Sequence, residues 1–196
     1  MDEIESFGRY LDIDNDGICY RTYPGTHPEK GAFFTRGTSH DEYARYTEDG
    51  EVNAATLSRL MKKFRTASEL VPKPVIEING EDSCGVIFYG STSPAVHEAK
   101  DILKDKEINI DLMQIRSFPF NLDVWEFIAN HDRIYVVEQN RDSQMRTLIM
   151  AEGGISPEIL RPLVHFTGDP IQASYIVNKI SEREVNYKSH INAKKR

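Results

Sequence analysis

The sequence predicts an α/β protein: a three-layer α/β/α sandwich on a five-stranded, mostly parallel sheet, preceded by a loop-rich segment with one helix. Three observations carry this. From residue 75 onward short apolar runs alternate with amphipathic segments. Two of the runs, "CGVIFYG" (84–90) and "RIYVVEQ" (133–139), are continuously apolar, as strands buried on both faces must be. And the repeated strand–helix units are long enough for right-handed crossovers between parallel strands.

Residues 1–73 have a different texture. Glycines 8, 17, 25, 31, 37 and 50, with Pro24 and Pro28, break the chain into short pieces. One helix is expected over 53–67, where Leu57, Leu60, Met61 and Phe64 fall on one face. Arg59, Lys62, Lys63 and Arg65 lie off that stripe and read as a solvated basic face in preference to an anion site. "VPKP" (71–74) ends the helix and reads as a linker. The α/β domain then runs over 74–182. "VIEI" (75–78) is a strand, and 84–90 is the next. "STSP" opens a helix with Ser93 as N-cap and Pro94 at the first position, and Ala95, Ala99, Ile102 and Leu103 point inward. Strand 108–115, helix 122–131, strand 133–139, helix 143–153, strand 160–166 and helix 170–181 complete it. The tail, 183–196, is charged and expected to fray.

Composition narrows the function. The 196 residues carry a formal charge of −7, which argues against nucleic acid as the main partner. No apolar run approaches the roughly 20 residues of a membrane-spanning helix. The N-terminus is acidic and lacks the apolar core of a signal peptide, so a cytoplasmic location is expected. The two cysteines, Cys19 and Cys84, fit neither a zinc nor an iron–sulfur spacing.

Four stretches invite chemistry. "DIDNDG" (12–17) reproduces the first half of a calcium loop, but Tyr23 stands where the closing glutamate belongs. It reads as a tight polar turn with Gly17 at positive φ. "YGSTSP" (89–94) is a strand–turn–helix junction whose N–H groups could hold a phosphate, though capping alone explains it. Glu138 and Asn140 stand at the carboxyl end of a buried strand, where α/β folds bind ligands. Satisfying a helix N-terminus is the equal alternative. "GTSHDEYARYTED" (37–49) holds His40, Asp41, Glu42, Tyr43, Glu48 and Asp49. His40 and Asp41 are adjacent and His27 is the one nearby second histidine, so a metal site is disfavoured. No pocket is visible around an acid/base pair. An ordered loop set against another surface remains, its polar groups finding partners outside the chain. Phe33 and Phe34 upstream favour that, because adjacent residues of an extended chain cannot face one core. No nucleophile elbow is present, His165 reads as a core histidine within a strand, and His131 as a helix end.

The stretch from Tyr20 to Asp49, followed by a helix and "VPKP", resembles the alpha subunit of 2-oxoacid:ferredoxin oxidoreductases, the 2-oxoglutarate type above all. Pro24, Gly25, Gly37, His40, Asp41 and Glu42 match the first segment, and Gly85, Gly90, Pro119, Phe120, Glu138, Asn140 and Gln144 the second. Ser143 stands where the family has a glycine. The resemblance implies that 74–182 is like the C-terminal domain of transketolase, with strand order 1-3-2-4-5 and an antiparallel first strand at the edge. It further implies a complex that oxidatively decarboxylates a 2-oxoacid to an acyl-CoA. That complex would use thiamine diphosphate, magnesium, an iron–sulfur cluster and CoA, and pass electrons to ferredoxin. The chain would be the C-terminal portion of the alpha subunit. It would bind none of these cofactors by itself and be inactive alone. Its partners would be the beta subunit and pyrimidine-binding and gamma-type domains. The other reading is a free-standing module for a small anion at the strand ends, near Ser91–Ser93 and Glu138–Asn140.

Overall fold

The computed structural model describes residues 1–32, 34–80 and 83–194. It forms two compact units, Met1–Val71 and Pro72–Arg196. The division falls inside the proline-flanked stretch expected to be the linker.

The second unit is the expected α/β/α domain. Its strands are β1 (Val75–Glu77), β2 (Cys84–Tyr89), β3 (Ile110–Ile115), β4 (Ile134–Glu138) and β5 (Leu160–Val164). They form one sheet in the order β1-β3-β2-β4-β5. β1 runs antiparallel to β3, with Ile76 opposite Met113. The remaining pairs are parallel, Val86 lying opposite both Leu112 and Tyr135. Prolines 72 and 74 precede the edge strand, where missing N–H groups cost no ladder bonds.

Side chains alternate across each strand, so each feeds two cores. Val86, Phe88, Leu112, Tyr135 and Val137 pack on one face. There they meet Val96, Ala99 and Leu103 of α2 (Ser93–Asp105) and Ile176, Val177 and Ile180 of α5 (Ala173–Lys194). Ile87, Met113, Ile134 and Val136 pack on the other, against Val124, Phe127 and Ile128 of α3 (Leu122–Ala129) and Ile149 of α4 (Gln144–Gly153). Gly85 lets α3 come this close: a Cβ there would lie 3.0 Å from the Phe127 ring and 2.9 Å from Ile134.

Several boundaries move by a few residues, and two of the differences have a physical cause. A single 3-10 turn, Gly90–Thr92, precedes α2, so Thr92 and not Ser93 is its N-cap, with no side-chain cap bond. And α5 does not end at residue 181 but continues as helix through the tail to Lys194. The reason lies in Glu184, whose side chain is 2% exposed. It accepts from Arg133 Nε at 2.9 Å and from the Tyr135 hydroxyl at 2.8 Å. Tyr187 adds its ring beneath the Arg133 guanidinium, 4.3 Å from the centroid, and its hydroxyl donates to Asp132. Burial and the Glu184 carboxylate together push the Tyr135 phenol far up. A charged-looking tail is thus tied to the start of β4 by polar groups that no apolar pattern reveals.

The first unit is built otherwise. Its helix α1 (Gly50–Leu70) is longer than expected at both ends and has no buried residue. Leu57, Met61 and Phe64 are 55, 64 and 48% exposed, so the apolar stripe read from the sequence is not core. Among the described residues of this unit, Ala44 is the one buried apolar side chain.

Replacing Glu184 by alanine takes from the buried Arg133 the carboxylate its Nε meets while Asp132 stays 2.8 Å from the same guanidinium, and breaking a buried pair costs about 3–5 kcal/mol, here toward the low end. Urea unfolding of the Glu184→Ala protein is expected to show a loss of that size. The double change Arg133→Met with Glu184→Leu, which removes both charges, is expected to cost clearly less.

Candidate functional site

The segment 37–49 is an ordered double bend. His40 and Tyr46 form an isolated antiparallel bridge. Between them Asp41 Oδ1 accepts the N–H groups of Tyr43 and Arg45, both at 2.9 Å, and Ala44 takes a left-handed φ of 67°. The Tyr46 ring folds over Gly37, where a Cβ would lie 2.5 Å from it and φ is +82°, so only glycine fits. Tyr46 donates to Glu48 at 2.6 Å, which lifts its phenol. Asp49 caps α1 through the N–H groups of Glu51 and Val52. Asp41 and Glu48 therefore have partners inside the segment and Asp49 in the first turn of α1, contrary to the expectation that they would find them outside the chain. Short acidic side chains fold back on nearby N–H groups, which a search for sequence periodicity does not detect.

His40 is set by its surroundings. Its ring stacks on Tyr10 at 3.9 Å and 21°, and the Tyr10 N–H donates to the Glu42 carbonyl at 2.9 Å. Tyr10 and Arg59 join Asp41, Glu42, Tyr43 and Arg45 around a cavity of about 530 Å3 floored by Val52, Ala55 and Thr56 of α1. Three of the four residues singled out here, Asp41, Glu42 and Tyr43, thus line one concavity, while His40 braces its wall. Tyr43 and Tyr46 are 40 and 50% exposed, with Arg45 and Arg36 against their rings at 5.5 and 5.9 Å. Phe34 is 84% exposed. Phe33, which shared the argument from adjacent aromatics, lies outside the described residues. Tyr10 was missed; nothing in its local sequence signals a partner thirty residues away.

The turn 12–17 docks on α1. Asp12 Oδ1 accepts from Asp16 and Gly17 at 3.0 and 2.9 Å, and its other oxygen faces Lys62 at 3.5 Å. Burial raises the Asp12 carboxyl, but these N–H groups and Lys62 outweigh it and hold it below its usual range. Gly17 has φ +84°, and a Cβ on it would meet the Lys63 amide nitrogen at 2.3 Å. Thr66 and Arg59 donate to the carbonyls of Asp16 and Gly17 at 2.6 and 3.0 Å. His27, the other candidate ligand, accepts the N–H groups of Glu29 and Lys30 on Nδ1 and faces Asp2 with Nε2. Among the described residues no three His, Cys, Asp or Glu side chains gather as a metal site would require.

In the second unit Glu138 is fully buried. Its carboxylate accepts from the N–H groups of Met145 and Arg146 at 2.7 and 3.0 Å and from Asn140 at 2.8 Å. Asn140 Oδ1 accepts from Asp142 and Gln144. Of the two readings open for this pair, these bonds describe the local one: both side chains satisfy the start of α4, whose dipole favours the charge. Gln139 reaches Ser91 and Thr92 at 3.4 and 3.3 Å, so the strand ends near Ser91–Ser93 are likewise bonded to one another.

Ser93, His97 and Glu77 stand in line, yet not as a catalytic relay. His97 Nδ1 lies 2.7 Å from the Ser93 carbonyl against 3.4 Å from its hydroxyl, so that nitrogen donates and cannot take the serine proton. Its Nε2 meets Glu77 at 3.1 Å, and Lys100 meets the same carboxylate at 2.6 Å. The Lys100 bond is the main reason the Glu77 carboxyl is held down, with His97 adding and burial opposing. His131, just past the end of α3, repeats the pattern: Nδ1 on the Phe127 carbonyl, Nε2 on the buried Asp111. His165 lies just past β5 rather than in it, half-buried, beside Thr167 and edge-on to Tyr175. Burial pushes the Cys84 thiol up to about 12, which leaves no thiolate for catalysis.

Ser143 begins α4 with φ 51° and ψ 51°, the left-handed region, and makes no cap bond. A glycine there avoids roughly 1–2 kcal/mol of strain at some entropic cost. Ser143→Gly is expected to raise stability by about 0.5–1 kcal/mol in chemical denaturation. Glu138→Ala, which strands the first N–H groups of α4 in a buried site, is expected to lower it by about 1–3 kcal/mol.

No family model matches this sequence. Two curated relatives do. The chain is 27% identical over 178 residues, 88% of its length, to 2-oxoacid:ferredoxin oxidoreductase 2, subunit alpha, of Aeropyrum pernix. It is 28% identical over 152 residues, 75% of its length, to the 2-oxoacid:ferredoxin oxidoreductase subunit alpha of Saccharolobus solfataricus. It spans about a quarter of these relatives, 27 and 23% of their lengths. Among solved structures, the 2-oxoglutarate:ferredoxin oxidoreductase from Magnetococcus marinus, solved with 2-oxoglutarate, coenzyme A and succinyl-CoA bound, superposes with a TM-score of 0.78. That match covers 93% of this chain and 31% of the other at 23% identity, a likeness of fold. Over most of its length the chain is therefore similar to the alpha subunits of 2-oxoacid:ferredoxin oxidoreductases, as the residues of its two matching segments implied.

Proposed function

We propose that this chain serves assembly and interface roles in a thiamine-diphosphate-dependent 2-oxoacid:ferredoxin oxidoreductase, with 2-oxoglutarate as the substrate. The observation that carries the reading is the 27% identity to an alpha subunit over 88% of the chain. The reaction is oxidative decarboxylation to an acyl-CoA, and thiamine diphosphate with magnesium supplies its chemistry. This chain's own residues do not fit an iron–sulfur cluster. A thiolate-held iron–sulfur cluster takes about four cysteines, and two are present, one with its thiol pushed up to about 12. Its task is structural: the second unit supplies a rigid α/β platform, and 37–49 presents a surface to the beta subunit or a further domain. Exposed Tyr43, Tyr46 and Phe34 beside Arg36 and Arg45 support that role, because tyrosine and arginine dominate interface centres. The loop is braced from within, so it meets a partner with little ordering cost. The reading as a free-standing anion module loses support, since Gln139, Ser91, Thr92, Glu138 and Asn140 are bonded among themselves.

The test is co-expression with a beta subunit from the same genome. Wild type is expected to co-purify with it, and Glu42→Ala with Tyr43→Ala to lower recovery at least tenfold at an unchanged melting temperature. The isolated chain is expected to show no saturable binding of thiamine diphosphate by calorimetry. Wild-type recovery from the double variant would end the interface assignment, and saturable thiamine diphosphate binding would end the non-catalytic one.

A further inference from the structure

The cavity behind the 41–45 bend has walls of tyrosine and a floor on α1, and it is also lined by charge of both signs. Asp12, Asp41 and Glu42 stand there with Arg45 and Arg59. Each cation already has company inside the chain. Arg59 donates to the Gly17 carbonyl at 3.0 Å and lies 6.0 Å from the Tyr10 ring centroid, and Arg45 lies 5.5 Å from that of Tyr43. The acids are served unequally. Asp12 accepts two N–H groups of its own turn on Oδ1 and faces Lys62 with Oδ2. Asp41 accepts two N–H groups on Oδ1, and its Oδ2 accepts none from the described residues. The exposed Glu42 carboxylate accepts no hydrogen bond and joins no ion pair among the described residues. What the cavity leaves unmet is therefore a demand for donors and positive charge, not for acceptors.

The rest of the lining fits a long cationic side chain. The apolar floor of Val52 and Ala55 suits an aliphatic stem, and a tyrosine face suits a charged head. The receiving groups are in place before anything binds. Asp41 is fixed by its bend, the Glu42 backbone by the Tyr10 N–H, and the Tyr10 ring by its stack on His40. A guanidinium or ammonium entering there exchanges water for fixed acceptors at little ordering cost to this chain. The volume of about 530 Å3 falls within the roughly 300–1,000 Å3 of small-molecule sites, so a whole side chain can enter. At longer range the net charge of −7 favours a basic partner surface.

We propose that this cavity receives an arginine or lysine side chain of the partner subunit, whose cationic head pairs with Glu42 and with the unbonded oxygen of Asp41. The inference rests on the reading of 37–49 as an interface, and it names the chemistry that the interface grips.

The dissociation constant between the full chain and a beta subunit from the same genome, measured at low and at high salt, tests it. The variants are Glu42→Gln, close in shape but neutral, Glu42→Lys, and Glu48→Gln as a control that makes the same change of charge in the same segment. Glu42→Gln is expected to weaken binding at least tenfold at low salt and to lose much of the salt dependence of wild type, because salt screens an ion pair at the rim of an interface. Glu42→Lys is expected to weaken it further. Glu48 accepts from Tyr46 and does not line the cavity, so its variant is expected to change binding less than twofold. The melting temperature of the isolated Glu42→Gln chain is expected to equal that of wild type, since no internal partner is lost. The proposal is overturned if Glu42→Gln binds as wild type does, if Glu42→Lys binds more tightly, or if Glu48→Gln weakens binding as much as Glu42→Gln. Each of those outcomes leaves wild-type co-purification standing. Absence of wild-type binding ends the interface reading, and this inference with it.

Discussion

Burial of β2, β3 and β4 on both faces is the constraint on which the α/β unit depends. Val86, Ile87, Phe88, Leu112, Met113, Ile134, Tyr135, Val136 and Val137 are each no more than 1% exposed. Water can be excluded from both faces only if helices cover both, and parallel neighbours need crossover segments to connect them. The same demand therefore sets the layers, the alternation of elements and the mid-sheet place of β2. β1 escapes it: Val75 and Ile76 are 44 and 37% exposed, and an edge strand can run the other way.

Two polar devices fit inside that apolar frame. Glu138 sits at the carboxyl end of β4 and binds the first N–H groups of α4, so a buried charge is matched by a helix terminus rather than by a cation. Arg133 sits at the opposite end of the same strand and is matched by Glu184 from α5. One strand thus fixes a helix at each end. Glu138, at its carboxyl tip, is the kind of residue a ligand-oriented reading of an α/β fold selects first, and here its partners are internal.

The first unit works by another balance. Apolar burial, the main driving force for folding, is nearly missing there, since α1 has no buried residue. Its order rests on polar bonds, some across the unit and some local: the 12–17 turn against α1, the Asp41 bend and the Asp49 cap. What it leaves exposed is aromatic, apolar and basic together: Phe34, Tyr43, Met61, Phe64, Arg21 and Lys63.

The sequence by itself determined the sandwich, because continuous apolar runs at strand length between amphipathic helices admit few other arrangements. Its two segments of family likeness implied the strand order and the antiparallel edge. It also supplied Gly17 as a turn position, and marked Ser143 as the residue standing where the family has glycine, now seen to be left-handed. Tertiary structure alone decided what the polar residues do. Glu138 and Asn140 could have faced a ligand or a helix, and only the approach of α4 chose. Asp41 and Asp49 could have faced a partner or nearby backbone N–H groups, and Glu48 a partner or the Tyr46 hydroxyl; for Asp41 the choice goes with the left-handed Ala44 inside its bend, which alanine propensity argues against. The α5 tail looked frayed because its charge pattern is local, whereas the Glu184–Arg133 pair spans fifty-one residues. Apolar side chains need only somewhere dry and so write a periodic signal; a polar group needs one particular partner, and that partner exists only once the chain has folded.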